Sequence, residues 1–437
     1  MATFELVGGR CCWYGKGMSE ESRPVTTITA ILFSVLLMGV GSALLATVVS
    51  MRAGLEGVPE QIIGLIMSGY YIGLIIGTFL AGVVIQSVGY VRSFAAFASI
   101  ASAAGFMHIL IINPSVWFLL RVMYGICLAV MEVVVESWLN VSSSNTNRGR
   151  ILSLYSIALL ASMGLGQPLI GRFSPASFEV FGIAMIIVSL CLIPVTLAKV
   201  SGTASVKRSR PNLKRTFLRS PLAGAGVIVS GLLYGGAWSL VPRYGQGIGL
   251  SEGQIGIVML LIALGTLTFQ WPLGLISDRK GRRLAILLSA AAALAASLLI
   301  AVTRADGPLF FLLSFLFGGF GMPLYSLSVA LMNDQLEPEE MVQAAGTLIL
   351  FYGVGSAAGP ILAGNIMAKI GPAGLYYAMA VPLALYLVFA LARFGKAARL
   401  PKLGRKRYKP YPRTTAAVYS LLRRPRKNIR ESNEQEK

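Results

Sequence analysis

Three charged side chains interrupt the apolar segment RVMYGICLAVMEVVVES, which runs from residue 121 to residue 137. They are Arg121, Glu132 and Glu136. At about 100° per residue, the three lie within roughly 60° of one another around a helix. A charge at the centre of a bilayer costs about 2.5–3.5 kcal/mol on insertion scales, so this stripe must face protein or water.

The two types of charge differ in the chemistry open to them. Arg121 keeps its proton, and Glu132 lies roughly 16 Å along the helix, too far for a direct ion pair. Arg121 therefore needs hydrogen-bond acceptors, water or an anionic substrate group; the alternative is that its side chain snorkels to the outer surface. Glu132 can bind a proton when it is buried and is the candidate for carrying the proton, and Arg121 is expected to take part in proton coupling with it. The alternative is that Glu132 stays protonated and hydrogen-bonded to its neighbours.

The rest of the chain supplies the helices that must position these groups. Of its 437 residues, 55% are hydrophobic and only 13% are charged, whereas soluble domains carry about 25% charged residues. Twelve apolar segments are each long enough for the roughly 30 Å hydrocarbon layer. These predicted spans are 25–50, 61–86, 94–113, 116–139, 150–171, 179–198, 221–242, 253–276, 284–303, 308–332, 342–367 and 373–394.

The net charge of +20 is distributed very unevenly about these spans. With an even number of spans, 32 of the 38 basic residues lie on the side of the two termini, which predicts a protein of the cytoplasmic (inner) membrane with both termini in the cytoplasm. The charge is thus a topology signal, and we expect no nucleic-acid partner. The basic tail, 395–437, is expected either to contact anionic membrane lipid or to be simply solvated.

An internal repeat divides the chain into two halves. A shift of 192 residues aligns Gly73 with Gly265, Gly89 with Gly281 and Pro168 with Pro360. The sequence thus predicts an all-α membrane protein with twelve transmembrane helices in two parallel six-helix repeats. The predicted parts are a cytoplasmic N-terminal segment, a first bundle, a cytoplasmic linker, a second bundle and the tail, at 1–24, 25–198, 199–220, 221–394 and 395–437.

The loop after span 8 carries a motif. Its sequence, GLISDRKGRR, resembles the G-x-x-x-D-R-x-G-R-R signature of the major facilitator superfamily, through Gly274, Asp278, Arg279, Gly281, Arg282 and Arg283. The first-half copy keeps Gly89 and Arg92 but has Gln86 in place of the usual Asp. RVMYG in span 4 is also similar to the family, and VVVESWLNVSSSNTNRGR and FQWPLGLISDRKGR resemble its YcaD-type branch.

The resemblance implies alternating access, with a cavity lined by spans 1, 4, 7 and 10. It also implies that the loop after span 8 meets the start of span 5, at Arg148 and Arg150, and that the loop after span 2 meets the start of span 11. We therefore expect a cytoplasmic gate in which Asp278 pairs with Arg148 or Arg150 and Arg92 pairs with the acidic segment 334–340. Glu136 is expected to belong to this gate. The alternative is that these charges only fix topology.

Aromatic side chains are the candidates in the second half. Tyr234 and Trp238 lie four residues apart on span 7, and Tyr325 lies on span 10. We expect all three to line the substrate pathway with Arg121, although aromatic residues are also ordinary packing residues.

The function implied is secondary transport of a small solute. Proton-driven exporters of the superfamily tend to carry G-x-x-x-G-P on span 5, where this chain has GLGQPLIG with Gln167 before Pro168. We expect proton-coupled efflux by antiport, with proton-coupled uptake by symport as the alternative. A non-transporting membrane sensor or assembly factor on the same fold is the alternative from another class. No enzyme constellation, cofactor motif or metal-ligand spacing is found, so we expect an ion gradient, of protons, as the energy source and a monomer as the working unit.

Overall fold

The computed structural model describes residues 22–141, 143, 147–197, 211–303, 307–337 and 340–394. These residues form helices without β-strands, and twelve of the helical segments are long and apolar enough to cross a membrane. The predicted fold class, with its twelve spans, is confirmed. Segment 1–21, most of the linker and the basic tail lie outside the described residues.

The first half contains spans 1 to 6. Their helices are Ser22–Leu55, Glu60–Val88, Tyr90–Leu110, Pro114–Val141, Arg148–Leu165 with the 3₁₀ helix Gln167–Arg172, and Phe178–Leu190 with Leu192–Leu197. A short linker helix, Leu213–Arg219, precedes the second half. Spans 7 to 12 are Pro221–Gly247, Glu252–Arg279, Arg282–Thr303, Gly307–Gly321 with Leu324–Asn333, Met341–Ile370 and Gly374–Phe394.

Large apolar side chains cover the outside of the bundle. Trp271 is 71% exposed, Leu385 68% and Leu119 64%. A soluble protein rarely exposes so much contiguous apolar surface, whereas lipid tails solvate such side chains without cost. The outer surface therefore fits a multi-pass membrane protein.

Span 5 changes from α-helix to 3₁₀ helix where the sequence departs from the exporter motif. Pro168 lacks a backbone N–H and cannot continue the α-helical hydrogen bonding. Gln167, fully buried, accepts a hydrogen bond from Thr47 of span 1 at 3.0 Å and donates one to the Met163 carbonyl at 3.1 Å. The glutamine thus joins spans 1 and 5 at this break.

Glycines set the close helix crossings, and the two halves use equivalent ones. A Cβ atom on Gly73 of span 2 would lie 2.1 Å from the Val122 carbonyl oxygen of span 4. A Cβ on Gly265 of span 8 would lie 2.0 Å from the Phe315 carbonyl oxygen of span 10. Only glycine allows backbones to approach so closely.

The interface between the halves shows the same symmetry. Span 2 packs on span 11, where a Cβ on Gly64 would lie 2.2 Å from the Pro360 carbonyl oxygen. Span 8 packs on span 5, where a Cβ on Gly256 would lie 2.5 Å from the Gln167 carbonyl oxygen. Residues related by the 192-residue shift therefore build both sides of the interface around the centre.

Candidate functional site

A central cavity of about 160 Å3 lies between the two halves. Side chains from spans 1, 2, 4 and 5 line it in the first half, and side chains from spans 7, 8, 10 and 11 line it in the second. The expectation of spans 1, 4, 7 and 10 was therefore too narrow. Because both halves contribute, any movement of one half against the other changes the cavity.

Arg121 lies inside the protein rather than at the outer surface. Its side chain is 2% exposed and lines the cavity, and its guanidinium carbon lies 5.0 Å from the Tyr70 ring centroid. The snorkelling alternative is therefore wrong. A Cβ on Gly69 of span 2 would lie 2.9 Å from the Phe118 carbonyl oxygen and 3.3 Å from the Cβ of Arg121, so this glycine lets spans 2 and 4 approach closely beside Arg121.

Two nitrogen atoms of Arg121, Nε and Nη1, are buried without a hydrogen-bond partner among the described residues. A cation–π contact with Tyr70 attracts the charge, but it does not supply in-plane acceptors for these N–H groups. A buried donor without an acceptor is costly, and more so when it belongs to a charged group. The cavity therefore holds a cation that still needs an acceptor.

Glu132 lines the same cavity and is partly exposed to it. It makes no hydrogen bond or ion pair with any residue that the structure describes. The straight helix Pro114–Val141 keeps it about 16 Å along the axis from Arg121. The alternative in which neighbouring side chains hold a protonated Glu132 has no support in these contacts, and its proton-coupling role stays a prediction.

Glu136 lies one turn further along span 4, away from the cavity. Its side chain is fully buried, and Tyr155 of span 5 donates a hydrogen bond to its Oε1 at 3.3 Å. Arg92 is exposed and forms no ion pair with it. The two glutamates of the stripe therefore occupy different environments.

Of the three aromatic residues predicted in the second half to line the pathway, two line the cavity and one does not. Tyr234 and Trp238 line the cavity as expected. Tyr325 does not line it but packs behind Tyr352 of span 11, with ring centroids 4.8 Å apart. The next residue, Ser326, lines the cavity instead and accepts a hydrogen bond from Gln270 at 3.2 Å. Tyr325 faces the core because span 10 is broken between Gly321 and Leu324, which changes the orientation of the residues that follow.

Sequence reasoning missed three tyrosines of the cavity wall: Tyr70 and Tyr71 of span 2 and Tyr352 of span 11. Tyrosine in lipid-exposed positions concentrates at the membrane interfaces, where its hydroxyl is wet. These three lie well inside their spans. A tyrosine at mid-span was therefore the available signal for a polar interior.

The signature loop forms contacts other than those expected. Arg282 is 7% exposed and forms ion pairs with Asp278 at 2.5 Å and with Asp334 at 2.9 Å. Among the described side chains, Asp278 pairs with Arg282 of its own half and not with Arg150, which is exposed. The side chain of Arg148 lies outside the described residues, so the pairing of Asp278 with Arg148 stays a prediction. Arg282 joins the ends of spans 8, 9 and 10 because the turn at Gly281, with φ of 112°, directs the chain back across them.

The acidic segment 334–340 also has partners other than Arg92. Asp334 binds Arg282, and Glu340 binds Arg215 of the linker helix at 2.6 Å. Arg92 is exposed and pairs with none of the described acidic residues; Glu339 lies outside them, so the expected pairing of Arg92 with this segment stays a prediction.

The remaining gate residues lie at the linker end of the bundle. Gln86 and Arg279 are exposed, Gly274 is buried and Arg283 donates a hydrogen bond to the Arg393 carbonyl at 3.1 Å. Gly89, like Gly281, has a positive φ, here 84°. Their role in gating stays a prediction.

The opposite end of the bundle is closed by contacts between the halves. Glu60 at the start of span 2 forms an ion pair with Arg243 near the end of span 7 at 2.7 Å. Gln246 donates a hydrogen bond to the Met51 carbonyl at 3.1 Å. These contacts hold spans 1 and 2 against span 7 above the cavity.

Comparisons with known proteins agree with this fold. The family model of the Major Facilitator Superfamily matches residues 31–246 and again 223–428. An uncharacterized MFS-type transporter of Yersinia pestis (strain Pestoides F) is 29% identical over 380 residues, covering 86% of this chain and 97% of the relative. The uncharacterized MFS-type transporter YcaD of Salmonella enteritidis PT4 is 28% identical over 382 residues, covering 87% and 98%.

Solved structures of low identity share the fold. A mutant of the nucleoside transporter NupG matches with a TM-score of 0.71 at 13% identity, covering 84% of this chain and all of that chain. A D-xylose-proton symporter matches with a TM-score of 0.64 at 16% identity, covering 88% and 99%. The family model covers both halves, and the chain therefore belongs to the Major Facilitator Superfamily, a family of secondary transporters and not of enzymes.

Proposed function

We propose that this secondary transporter couples the movement of a small solute through its central cavity to protons, with Glu132 as the proton-binding group. The observation that carries the proposal is the position of Glu132: a carboxyl group that lines a cavity shared by both halves and has no partner among the described residues. Such a group can bind and release a proton without first breaking an ion pair.

The contacts between the halves support alternating access as the mechanism. The Glu60–Arg243 ion pair closes the end opposite the linker, while Arg92, Arg150 and Arg279 at the linker end are exposed and form no ion pair with described residues. Rocking of the two halves would open the end opposite the linker and close the linker end, so that the cavity would open to the other side of the membrane. The uneven distribution of basic residues supports an inner-membrane orientation with the linker and both termini in the cytoplasm.

Efflux by antiport remains the favoured direction in this proposal, and uptake by symport would use the same carboxyl group. The energy source is the proton gradient, no cofactor is required, and a monomer encloses the whole cavity. Each half contributes to one pathway, so a second copy is not needed to complete it.

Purified protein in liposomes with an imposed pH gradient tests the proposal. The solute panel includes nucleosides and pentoses, because the nucleoside transporter NupG and the D-xylose-proton symporter share the fold, together with organic anions and cations. We expect at least one solute to evoke proton movement whose direction distinguishes antiport from symport, and Glu132→Gln to abolish that movement.

The matched control is Glu179→Gln, because Glu179 is an exposed carboxylate at the start of span 6, away from the cavity. It should leave solute-evoked proton movement unchanged. Proton movement of equal size in Glu132→Gln would remove Glu132 from the proposed role.

A further inference from the structure

We propose that the solute is a small organic anion with one planar aromatic ring, whose carboxylate binds Arg121 and whose ring packs among the tyrosines of the cavity wall. This inference rests on the proposed transport function, since it assigns the substrate class of the same cavity. Three features of the cavity carry it: an unsatisfied cation, an aromatic wall and a restricted volume.

The unsatisfied cation is Arg121. Its side chain is 98% buried and lines the cavity, yet Nε and Nη1 have no acceptor among the described residues. No described carboxylate forms an ion pair with it, and Glu132 is too distant along the helix to do so. A planar guanidinium matches the two oxygens of a carboxylate, so a bound anion would supply the missing acceptors.

The aromatic wall begins at Arg121 and crosses from one half to the other. The ring of Tyr70, beneath the guanidinium, lies 5.1 Å from the ring of Tyr71, centroid to centroid. Tyr71 lies 6.3 Å from Tyr234, which in turn lies 6.2 Å from Trp238. Ring centroids at 4.5–7 Å are the spacing of favourable aromatic contacts, so a planar ring next to Arg121 would find partners from both halves.

The volume limits the size of the solute. A cavity of about 150 Å3 with apolar walls is known to hold benzene, and the present cavity measures about 160 Å3. A single ring with a short carboxylate arm therefore fits the cavity in this conformation. A cation of the same size would meet Arg121 as a like charge and is disfavoured.

Equilibrium binding to the full-length protein in detergent tests the inference without any gradient. Isothermal titration calorimetry compares benzoate, phenylacetate and 3-phenylpropanoate with their neutral primary amides, which keep the ring and the shape but lack the charge. We expect the carboxylates to bind at least about tenfold more tightly than the amides, as the loss of a charge-assisted hydrogen bond predicts. Benzenesulfonate is included to show whether the site takes a carboxylate or any planar aromatic anion.

Two variants identify the group responsible. Arg121→Gln should bind acid and amide equally, whereas Arg121→Lys keeps the charge without the planar fork and should retain part of the preference. Thermal unfolding of each variant shows whether it is folded; if Arg121→Gln is not, the comparison of acids with amides in the unaltered protein decides alone.

Equal binding of acids and amides would overturn the inference, as would a folded Arg121→Gln that keeps the preference, or binding of neither series at millimolar concentrations. These results are independent of proton coupling. Transport of aromatic acids without any effect of Glu132→Gln on proton movement would reject the proposed coupling and leave the substrate class intact.

Discussion

The three charged residues of span 4 share one face of the helix but lie in two different environments. Arg121 and Glu132 both line the cavity, whereas Glu136 is fully buried beside Tyr155. One helical turn between the glutamates is enough to move a carboxyl group from the cavity wall to the packed interface of spans 4 and 5. In this conformation Glu132 faces the cavity and Glu136 does not.

The first prediction concerns Glu136→Gln. The glutamine keeps the shape and can still accept the hydrogen bond from Tyr155, so the packing of spans 4 and 5 should survive. We expect solute-evoked proton movement in liposomes to stay within about twofold of the unaltered protein, in contrast to its loss in Glu132→Gln. If Glu136→Gln lost proton movement while Glu132→Gln kept it, Glu136 and not Glu132 would be the proton-binding group.

Much of the site was predictable at the residue scale, and the limits have physical causes. The helical period placed Arg121 and Glu132 on one inward face, because that argument needs only the sequence of span 4. It did not decide whether Arg121 reaches the outer surface, since that depends on how neighbouring spans, such as span 2 with Tyr70, pack around its side chain. The sequence of span 10 likewise did not show which residue faces the cavity, because a break in the helix turned Tyr325 away from it.

At the scale of the helices, glycine positions carry the architecture. The repeat aligned Gly73 with Gly265, and the structure shows that both sit at the crossing of the second and fourth spans of their halves. Sequence register was sufficient here because a duplicated glycine marks a duplicated backbone contact. Ion-pair partners were not predictable in the same way. Arg282 binds Asp334 across a turn, and the partner of a long flexible side chain depends on which opposite charge lies near it in the final fold.

The second prediction tests these crossings with Gly265→Ala. The added Cβ would lie 2.0 Å from the Phe315 carbonyl oxygen and 2.9 Å from the Gly319 nitrogen, so spans 8 and 10 must move apart. Overpacking of this kind costs about 1–3 kcal/mol, and we expect a lower thermal unfolding temperature in detergent. Gly253→Ala on the same span is the control, because its nearest atom, the Gly171 Cα, would lie at 3.6 Å. Equal unfolding temperatures for the two variants would show that the crossing is not tight.

At the scale of the whole molecule, the two halves pack along spans 2 and 11 and along spans 5 and 8, and an ion pair joins them at the end opposite the linker. The equivalent packing of span 2 on span 11 and of span 5 on span 8 gives the interface its symmetry, but the ion pair between Glu60 and Arg243 has no counterpart of the same kind among the described residues of the second pair. At the equivalent place, Ser174 donates a hydrogen bond to Glu252 at 3.4 Å. Because the Glu60–Arg243 ion pair breaks the symmetry of the interface, it can favour one arrangement of the two halves over another.

The third prediction is that the Glu60–Arg243 ion pair stabilises the conformation closed at the end opposite the linker. Both side chains are less than a quarter exposed, so their separation should cost about 1 kcal/mol, equivalent to about a fivefold change in population. Glu60→Gln should therefore accelerate labelling of a cysteine at Ala46, a cavity residue of span 1, by an impermeant maleimide added at that end, in a background without native cysteines. Glu56→Gln is the matched control, because Glu56 follows the end of span 1 and pairs at 2.6 Å with Arg52 of the same half, so this pair does not connect the two halves. If both variants were labelled at the rate of the parent, the ion pair would have no part in closing this end of the bundle.

If Glu60→Gln alone is labelled faster, a double variant that reverses the pair, Glu60→Arg with Arg243→Glu, should return the labelling rate toward that of the parent.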